Sequence, residues 1–388
     1  MHIPLSCKNY AEEEIAEVLD SLRSGAVTMG AKCLAFENAF AKFTKARHAI
    51  FLNSGSSANL LAWFALANPI WREPFQPGFE VIVPAISWST TIWPIVQAGG
   101  TPVLVDCNPE TLGVEVSAVE AAISSKTVAV CPVHPLGNVC DMDRLTAICD
   151  DHKIILVEDT CESLGSRYRG RLAGRFGIMG TFSFYFSHHM TTIEGGMIVT
   201  DDDDLAQLLR MLRSHGWARE KKSASEIPFN KRYHFLTTGF NLRPTELQAA
   251  FGLHQLKKLG GFNKRRVETT TALLELLEPL LEEQFLSPMK IEENVDAVFF
   301  GFPVLCRSNE DRDALVRHLE ERDIETRPII CGNMARQPGL MRAPHKVIGK
   351  LNGADQVMDK GLYWGMHPSF FHAEIEYIAN SLKSFPWQ

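Results

Sequence analysis

The chain has 388 residues, 45% of them hydrophobic and 22% charged, and it carries a formal net charge of −7. This composition is ordinary for a globular protein whose core can form without disulfides, and the slight acidity gives no reason to expect a nucleic-acid partner. No stretch reaches the roughly 18 apolar residues of a membrane span, and the N-terminal segment lacks the features of a signal peptide, so we expect a cytoplasmic protein. The nine cysteines form no CxxC pair or cysteine–histidine cluster, which predicts reduced thiols and no metal site.

The first 200 residues alternate between helical and strand patterns. Apolar residues at helical spacing predict a helix over residues 11–23 and, after a loop of small residues at Ser24–Ala31, a second helix around Leu34–Phe43. Further helices are predicted at Ala58–Ala67, Val116–Ile123 and Met142–His152, and strands at Ala49–Leu52, Glu80–Val83, Thr101–Val105, Thr127–Val133, Lys153–Val157, Gly180–Phe186 and Gly196–Thr200. We therefore expect an α/β protein with a mostly parallel sheet covered by helices on both faces. The last two strands are expected to be antiparallel neighbours, because their connection is too short for a helical crossover.

The pattern changes after about residue 245. Two long helices, Thr245–Leu259 and Lys264–Leu281, joined at Gly260-Gly261, are expected to form a spine between two domains. A strand at Val298–Cys306 and a helix at Asp311–Arg322 then begin a small α/β unit. The predicted organisation is an N-terminal helix and loop (residues 1–30), a large domain (31–245), and the long helices with a small domain (246–388).

Two features follow the first strands of the predicted sheet, at the edge where open α/β sheets bind ligands. The segment Asn53–Ser57 opens a helix, and its small residues would let backbone N–H groups and the helix dipole hold a phosphate. A plain helix cap is the simpler alternative. Trp88 follows the strand Glu80–Val83. It could stack on a flat cofactor ring or pack in the core.

Two further polar features come from later strands. Asp159 ends an apolar run and could keep a pyridinium nitrogen protonated, although it would also suit a helix N-cap. Glu162 is either a second ring contact or the other half of a capping box. Ser183 lies inside an aromatic strand, where a hydrogen bond to a phosphate or to a neighbouring carbonyl would explain it. The convergence of all four features on strand ends favours a cofactor site.

The segment Ser187–Met197 (SHHMTTIEGGM), read with the motifs around it, resembles the DegT/DnrJ/EryC1/StrS family of pyridoxal-phosphate-dependent sugar aminotransferases. The other matching motifs are N-S-G-S at 53–56, an aromatic residue after P-A at Trp88, E-D-x-x-E-x-x-G at 158–165, R-x-H-G at 213–216, G-x-N-x-R at 239–243 and E-T-R-P at 325–328. The resemblance covers essentially the whole chain. It implies an aspartate aminotransferase-like fold of type I, with a mostly parallel seven-stranded sheet in a large cofactor-binding domain and a smaller C-terminal α/β domain.

The main departure from the family pattern is at position 188. The family has a lysine there that holds the cofactor covalently, whereas this chain has His188 and no lysine in the adjacent strand or turn. An imidazole cannot form that bond, but it can accept and donate protons near neutral pH, because its ordinary pKa is about 6.5. A homologue without activity is the alternative, although Trp88, Asp159 and Ser183 are all retained.

By resemblance, a histidine in an otherwise complete site implies a 3-dehydratase of this family. Such an enzyme removes the C3 hydroxyl of a nucleotide-linked 4-keto-6-deoxy sugar, here GDP-linked and of mannose configuration. L-glutamate would convert pyridoxal phosphate to pyridoxamine phosphate, and ammonia would be released. The kind that uses an iron–sulfur cluster is disfavoured, because the chain has no Cys-x-Cys pair and only Cys306 and Cys331 beyond residue 161. An aminotransferase that uses another lysine and a non-catalytic binding homologue remain alternatives.

The resemblance also implies roles for single residues, in a homodimer with active sites at the subunit interface. His188 would be the catalytic acid and base, and Asn241 or Arg243 would reach the partner's phosphate. The implied cofactor contacts are Ser56, Ser57, Trp88, Asp159, Glu162, Ser183 and Asn241. The implied substrate contacts are Thr28, Met29 and Gly30 in a nucleotide-contact loop, together with Ser187, His215, Arg219 and Arg327. A surface or salt-bridge role is the alternative for the outlying residues, and His189 is expected to be a structural neighbour.

Overall fold

The computed structural model describes residues 1–218, 229 and 233–387. Its first part places two N-terminal helices before a βα succession. The helices are α1 (Glu12–Ser24), α2 (Ala31–Thr44), α3 (Gly55–Leu66), α4 (Ser89–Gln97), α5 (Val116–Ala121), α6 (Met142–His152) and α7 (Asp203–Leu212). The strands are β1 (His48–Leu52), β2 (Glu80–Pro84), β3 (Thr101–Val105), β4 (Thr127–Val130), β5 (Ile155–Asp159), β6 (Arg167–Tyr168), β7 (Arg171–Leu172), β8 (Met179–Ser183) and β9 (Gly196–Thr200).

The second part begins with one long helix and continues with short strands and helices. Its helices are α8 (Glu246–Glu282), α9 (Asn309–Glu320), α10 (Pro338–Met341), α11 (Asn352–Lys360) and α12 (His372–Lys383). Its strands are β10 (Leu286–Pro288), β11 (Val295–Asp296), β12 (Gly301–Cys306), β13 (Thr326–Arg327), β14 (Lys346–Val347) and β15 (Gly361–Gly365).

The central sheet has eight strands in the order β1-β9-β8-β5-β4-β2-β3-β14. All five residues of β2, β8 and β9 are buried, as expected for strands covered on both faces. β9 is antiparallel to β8 and β1, which confirms the predicted antiparallel pair, and the remaining neighbours are parallel. The eighth strand corrects the predicted count of seven. β14 has only two residues, both exposed, which is too few for an apolar pattern.

The long helix corrects the two helices predicted after residue 245. α8 runs unbroken through Gly260 and Gly261, where an added Cβ would meet open space. Each exposed glycine weakens a helix by about 1 kcal/mol. The packing of α8 against α1, α2 and α12 outweighs that cost.

A short stretch of irregular backbone, residues 297–300, connects β11 with β12, and we call it the crossing segment. It corrects the predicted strand Val298–Cys306, since β12 begins only at Gly301. The backbone of the crossing segment is bonded outside any sheet: Val298 N donates to Ser166 Oγ, and Phe300 N donates to the carbonyl of Leu136. The segment therefore ties the two parts of the chain together beside the ends of the central strands.

The smaller sheet is antiparallel, with the order β10-β12-β15-β13. β11 pairs instead with β6, and β14 joins the central sheet, so the second part of the chain contributes to three sheets. The predicted domain boundary at residue 245 stays a prediction. Within the described ranges, no helix combines the length and apolar character that crossing a membrane requires.

Candidate active site

A cavity of about 390 Å³ lies at the carboxyl ends of the central strands, and we call it the strand-end cavity. Side chains from both parts of the chain line it. They are Ser54, Gly55, Ser56, Asn59, Trp88, Thr90, Thr91, Val133, Asp159, Cys161, Glu162, Ser183, Tyr185, Ser187, His188, Glu194, Phe300, Ile330 and Tyr363. The structure thus brings together seven predicted site residues: Ser56, Trp88, Asp159, Glu162, Ser183, Ser187 and His188.

The loop after β1 forms one end of the cavity. Ser54 caps α3, with its Oγ accepting from Ser57 N at 3.1 Å, and the N-terminal residues of the helix, Gly55 and Ser56, line the cavity. A Cβ on Gly55 would lie 2.5 Å from Ser183 Cβ, and a Cβ on Gly196 would lie 2.1 Å from the carbonyl oxygen of Ser54. Only glycines allow this loop to press so closely on β8 and β9, and the result is a cradle suited to a phosphate.

Asp159 ends β5 with its carboxylate buried and held by three donors. Asn59 Nδ2 donates to Oδ2 at 2.9 Å, Thr91 Oγ1 donates to the same oxygen at 2.7 Å, and Cys161 N donates to Oδ1 at 3.2 Å. No helix follows Asp159, so the N-cap alternative is wrong. The carboxylate is a fixed acceptor at the bottom of a cofactor-sized cavity.

Glu162 lies three residues further on and has one hydrogen bond to the backbone, from Leu136 N to Oε2 at 3.2 Å. Burial, assisted by the nearby charge of Asp159, raises the pKa of Glu162 to about 7 although the bond from Leu136 opposes it. The capping-box alternative is wrong, because a turn and not a helix follows. Glu162 can therefore hold a proton near neutral pH.

Trp88 and Ser183 complete the surroundings of the cradle. Trp88 immediately precedes α4, lines the cavity and is 54% exposed, which rules out the core-packing alternative. Ser183 is buried, and its Oγ accepts only a long bond of 3.4 Å from Tyr185 N. Its hydroxyl remains able to donate to a ligand.

His188 lies in the turn between β8 and β9, with its ring between aromatic neighbours. Its ring centroid is 5.1 Å from that of Phe300 and 6.1 Å from that of Tyr185. Burial, together with the positive charge of Arg266, lowers the pKa of His188 to about 3. This corrects the expectation of an ordinary histidine pKa: the imidazole rests in its neutral form, so it must accept a proton before it can donate one.

His189 does not line the strand-end cavity. It is fully buried, and its Nε2 is hydrogen-bonded to the carbonyl of Val298 at 2.9 Å. That contact agrees with a structural role, since it fixes the turn against the crossing segment.

Several predicted contacts lie elsewhere. Ser57 is buried behind the loop and bonded to Ser54. Thr28, Met29 and Asn241 line a separate pocket of about 250 Å³ with Arg243, Pro244 and Thr245. The cavity of this chain alone therefore lacks these residues.

The other predicted substrate residues are also outside the cavity. Gly30 N donates to Glu246 Oε1 at 2.8 Å, and His215 has a positive φ of 66° with its N bonded to the carbonyl of Phe240. Arg327 is exposed in β13, paired with Tyr363 of β15. Arg219 lies outside the described residues.

The prediction missed cavity residues of two kinds. Asn59 lies four residues after Gly55 and Thr91 three after Trp88, so helical spacing on α3 and α4 could have placed both beside the strand ends. Of the others, Glu194 lies inside the family motif at 187–197 but was assigned no role, and no comparable local signal marks the rest, which are Thr90, Val133, Cys161, Tyr185, Phe300, Ile330 and Tyr363.

The comparisons with known proteins agree with this geometry. The DegT/DnrJ/EryC1/StrS aminotransferase family matches residues 8–383, and the chain belongs to this family. It is 35% identical over 396 residues to the GDP-4-keto-6-deoxy-D-mannose 3-dehydratase of Yersinia pseudotuberculosis, covering 99% of this chain and 98% of that protein.

Two solved structures are similar along nearly the whole chain. The Escherichia coli GDP-4-keto-6-deoxy-D-mannose-3-dehydratase with bound hydrated PLP superposes with a TM-score of 0.92 at 33% identity, covering 98% of this chain and 99% of that one. A structure of GDP-4-keto-6-deoxymannose-3-dehydratase with a trapped PLP-glutamate geminal diamine gives the same TM-score of 0.92 at 33% identity, with 98% and 100% coverage.

Proposed function

We propose that this protein is a pyridoxal-phosphate- and pyridoxamine-phosphate-dependent 3-dehydratase, which removes the C3 hydroxyl of GDP-4-keto-6-deoxy-D-mannose with L-glutamate as the amine donor. The observation that carries the proposal is His188 inside a complete cofactor cavity, with no lysine among the described residues that line it. The relatives described above act on this sugar, and one was solved with a PLP-glutamate adduct. A cytoplasmic location belongs to the same proposal, because glutamate and nucleotide-linked sugars are cytosolic metabolites.

The residues present fit the cofactor. The Ser54–Ser57 loop and the N-terminus of α3 would hold its phosphate, Trp88 would cover a ring face, and Asp159 would hold the ring nitrogen. When bound, the cofactor supplies an electron sink for bond breaking next to the sugar ketone. Without a lysine, these non-covalent contacts must provide all of its binding.

His188 and Glu162 supply the mobile protons. The neutral imidazole of His188 can accept a proton beside the bound cofactor and then deliver it to the leaving C3 hydroxyl. Glu162 lines the same cavity and can carry a proton near neutral pH. Ser187, Tyr185 and Phe300 surround His188 and restrict how the sugar can approach it.

The reaction is tested by incubating the purified protein with pyridoxal phosphate, L-glutamate and a panel of nucleotide-linked 4-keto-6-deoxy sugars. We expect the GDP-linked mannose derivative to lose the mass of one oxygen atom, with release of ammonia and 2-oxoglutarate. An aminotransferase would instead add an amine and release no ammonia. A binding homologue would produce no 2-oxoglutarate with any sugar of the panel.

The proposal includes a homodimer in which each chain completes the other's site. Thr28, Met29 and Asn241 lie in a pocket apart from His188, although the family resemblance assigns all of them to one site. An apolar groove adjoins the cavity mouth at Glu194 and would be covered by the partner. It is lined by Ile15, Val18, Leu19, Thr192, Ile193, Glu194, Thr245, Leu247, Gln248 and Phe251.

Heterodimers with two different affinity tags test this arrangement. A shared site predicts about half of the wild-type activity when a His188→Asn chain pairs with an Asn241→Ala chain, because one of the two sites is then intact. The matched control pairs a wild-type chain with the double variant, which damages both shared sites and should be inactive. The opposite pattern would show that each chain carries its own complete site.

A further inference from the structure

Arg266 is buried in the middle of α8, and only 1% of it is exposed. Its Nη1 donates to the carbonyls of Phe299, at 3.2 Å, and Phe300, at 3.0 Å, and also to that of Met366. Its Nε has no hydrogen-bond partner in the part of the chain that the structure describes. None of the carboxylates among the described residues forms an ion pair with it, which is unusual for a buried arginine.

The carbonyls that Arg266 holds belong mainly to the crossing segment, which contacts both histidines of the turn. The ring of Phe300 lies against His188, and the carbonyl of Val298 is bonded to His189. The opposite side of the segment is equally constrained. A Cβ on Gly137 would lie 2.2 Å from the Val298 carbonyl oxygen, so the crossing segment cannot shift toward the backbone around Gly137.

The charge of Arg266 acts on the same histidines. After burial, it is the next cause that lowers the pKa of His188, and it also lowers the pKa of His189. The other titratable groups facing His188 come from several elements of the cavity and from its own turn. They are Asp159, Cys161, Glu162, Tyr185, His189, Glu194 and Tyr363.

We propose that Arg266 is a positioning residue for His188. It fixes the crossing segment, and with it the Phe300 ring, against the turn between β8 and β9 that carries the histidine. It also places a positive charge without a carboxylate partner close to the imidazole. A buried ion pair would cancel that charge, whereas three carbonyl acceptors hold the guanidinium and leave its charge in place. His188 is thereby kept as a neutral proton acceptor. This inference rests on the acid–base role proposed above for His188.

The test is a titration of His188 in the cofactor-free protein between pH 8 and pH 5, monitored by NMR of ¹⁵N-labelled histidines. The His188 signals are assigned by their loss in His188→Asn. In Arg266→Gln, which keeps an amide donor but removes the charge, we expect about tenfold more imidazolium at pH 5, since a nearby charge shifts a pKa by about one unit. Arg266→Lys keeps the charge and should stay within about twofold of the wild type.

Arg265→Gln is the matched control, because Arg265 is the exposed neighbour of Arg266 on the same helix, and its substitution should leave the titration of His188 unchanged. A folded Arg266→Gln variant with an unchanged titration would overturn the proposal, and so would equal shifts in the Gln and Lys variants. If Arg266→Gln fails to fold by circular dichroism, the Lys variant decides: a tenfold rise in imidazolium overturns the proposal, and a wild-type titration supports it. The measurement needs neither cofactor nor sugar, so a failure of the proposed reaction would be seen separately, in the 2-oxoglutarate assay.

Discussion

Two walls of the strand-end cavity differ in how completely their polar atoms are bonded. The strand wall, residues 158–162, bonds most of its polar atoms, and Thr160 Oγ1 is its one buried side-chain oxygen without a partner among the described residues. Asp159 accepts three hydrogen bonds, and Glu158, fully buried behind it, accepts from the backbone N–H groups of Gly174, Phe176 and Gly177 and is bonded to His134. A network satisfied in this way holds its carboxylates in one place.

The second wall is the turn between β8 and β9, residues 184–195, which we call the return turn, and it leaves buried polar atoms without partners. The Nδ1 atoms of His188 and His189 have no hydrogen-bond partner among the described residues, and Ile193 has a φ of 69°. Buried polar atoms without partners and strained backbone are both concentrated at functional sites. The difference between the walls fits the two tasks proposed above, in which the strand wall would hold the cofactor and the return turn would move protons.

Replacing His188 by lysine should have the largest effect. We expect His188→Lys to lower the rate of dehydration at least about 1000-fold, within the range that general acid–base groups contribute, because the lysine amine can bind the cofactor covalently and no free base remains. Ammonia release measures the rate, and borohydride reduction with peptide mapping detects the new linkage. His152→Lys, at an exposed helix end, is the control and should retain its rate. Full dehydration by His188→Lys would remove the proton-transfer role from the return turn.

Asp159→Asn tests the strand wall and should lower the rate about 100-fold. An asparagine offers one acceptor oxygen to three donors, and its own amide would meet Asn59 Nδ2, so we also expect a loss of about 2 kcal/mol in the free energy of unfolding. Turnover at saturating glutamate and urea unfolding of the cofactor-free protein measure the two effects. Asp150→Asn, on the exposed face of α6, is the control. If Asp159→Asn unfolds like the wild type, the strand wall is not the rigid element described here.

Glu162 is the carboxyl group of the strand wall with the fewest hydrogen bonds, and it makes the free energy of unfolding depend on pH. Its pKa rises from an ordinary 4.5 to about 7 on folding, so the folded protein binds a proton there that the unfolded chain releases. The contribution of this bound proton to the stability of the folded protein is therefore complete below about pH 4.5 and is lost as pH rises through about 7. We expect Glu162→Gln to exceed the wild type in unfolding free energy by about 2 kcal/mol more at pH 8 than at pH 5. Parallel stability curves for the two proteins would contradict this.

The same division explains which parts of the site the sequence could predict. Ser56 and Trp88 come after strands, whereas Asp159 and Ser183 end them. Because parallel strands bring their carboxyl ends to one edge, order along the chain was enough to assemble these residues. His188 was found because it stands in a family motif where a lysine is expected.

The remaining cavity residues depend on long-range contacts. Phe300 reaches the cavity because the crossing segment is bonded to Leu136 and Arg266, and no periodic pattern marks such a segment. The unbroken α8 likewise depends on packing partners that outweigh its two glycines. Thr28 and Asn241 lie apart from His188 in a single chain, so their predicted roles depend on a second copy.

Substitutions of Ile193 should have the smallest effect on the free energy of unfolding, and they test whether the backbone of the return turn is strained. Its φ of 69° is unfavourable for a β-branched residue by about 1–2 kcal/mol, and its side chain is 46% exposed, so little buried area opposes a replacement. Ile193→Gly and Ile193→Ala both remove the apolar side chain from the groove, but only glycine adopts this φ without cost. We expect the Gly variant to exceed the Ala variant by about 1 kcal/mol in the free energy of urea unfolding.

The matched pair is Ile291→Gly and Ile291→Ala, at a residue that is 41% exposed and has no positive φ. There the order should reverse, with alanine more stable by about 0.5–1 kcal/mol, because glycine loses more backbone entropy on folding. Since each comparison is made between two variants at one position, any effect of the lost isoleucine on dimer formation cancels. If alanine were the more stable residue at both positions, Ile193 would carry no strain, and the contrast between the two walls would rest on the unpartnered histidine nitrogens alone.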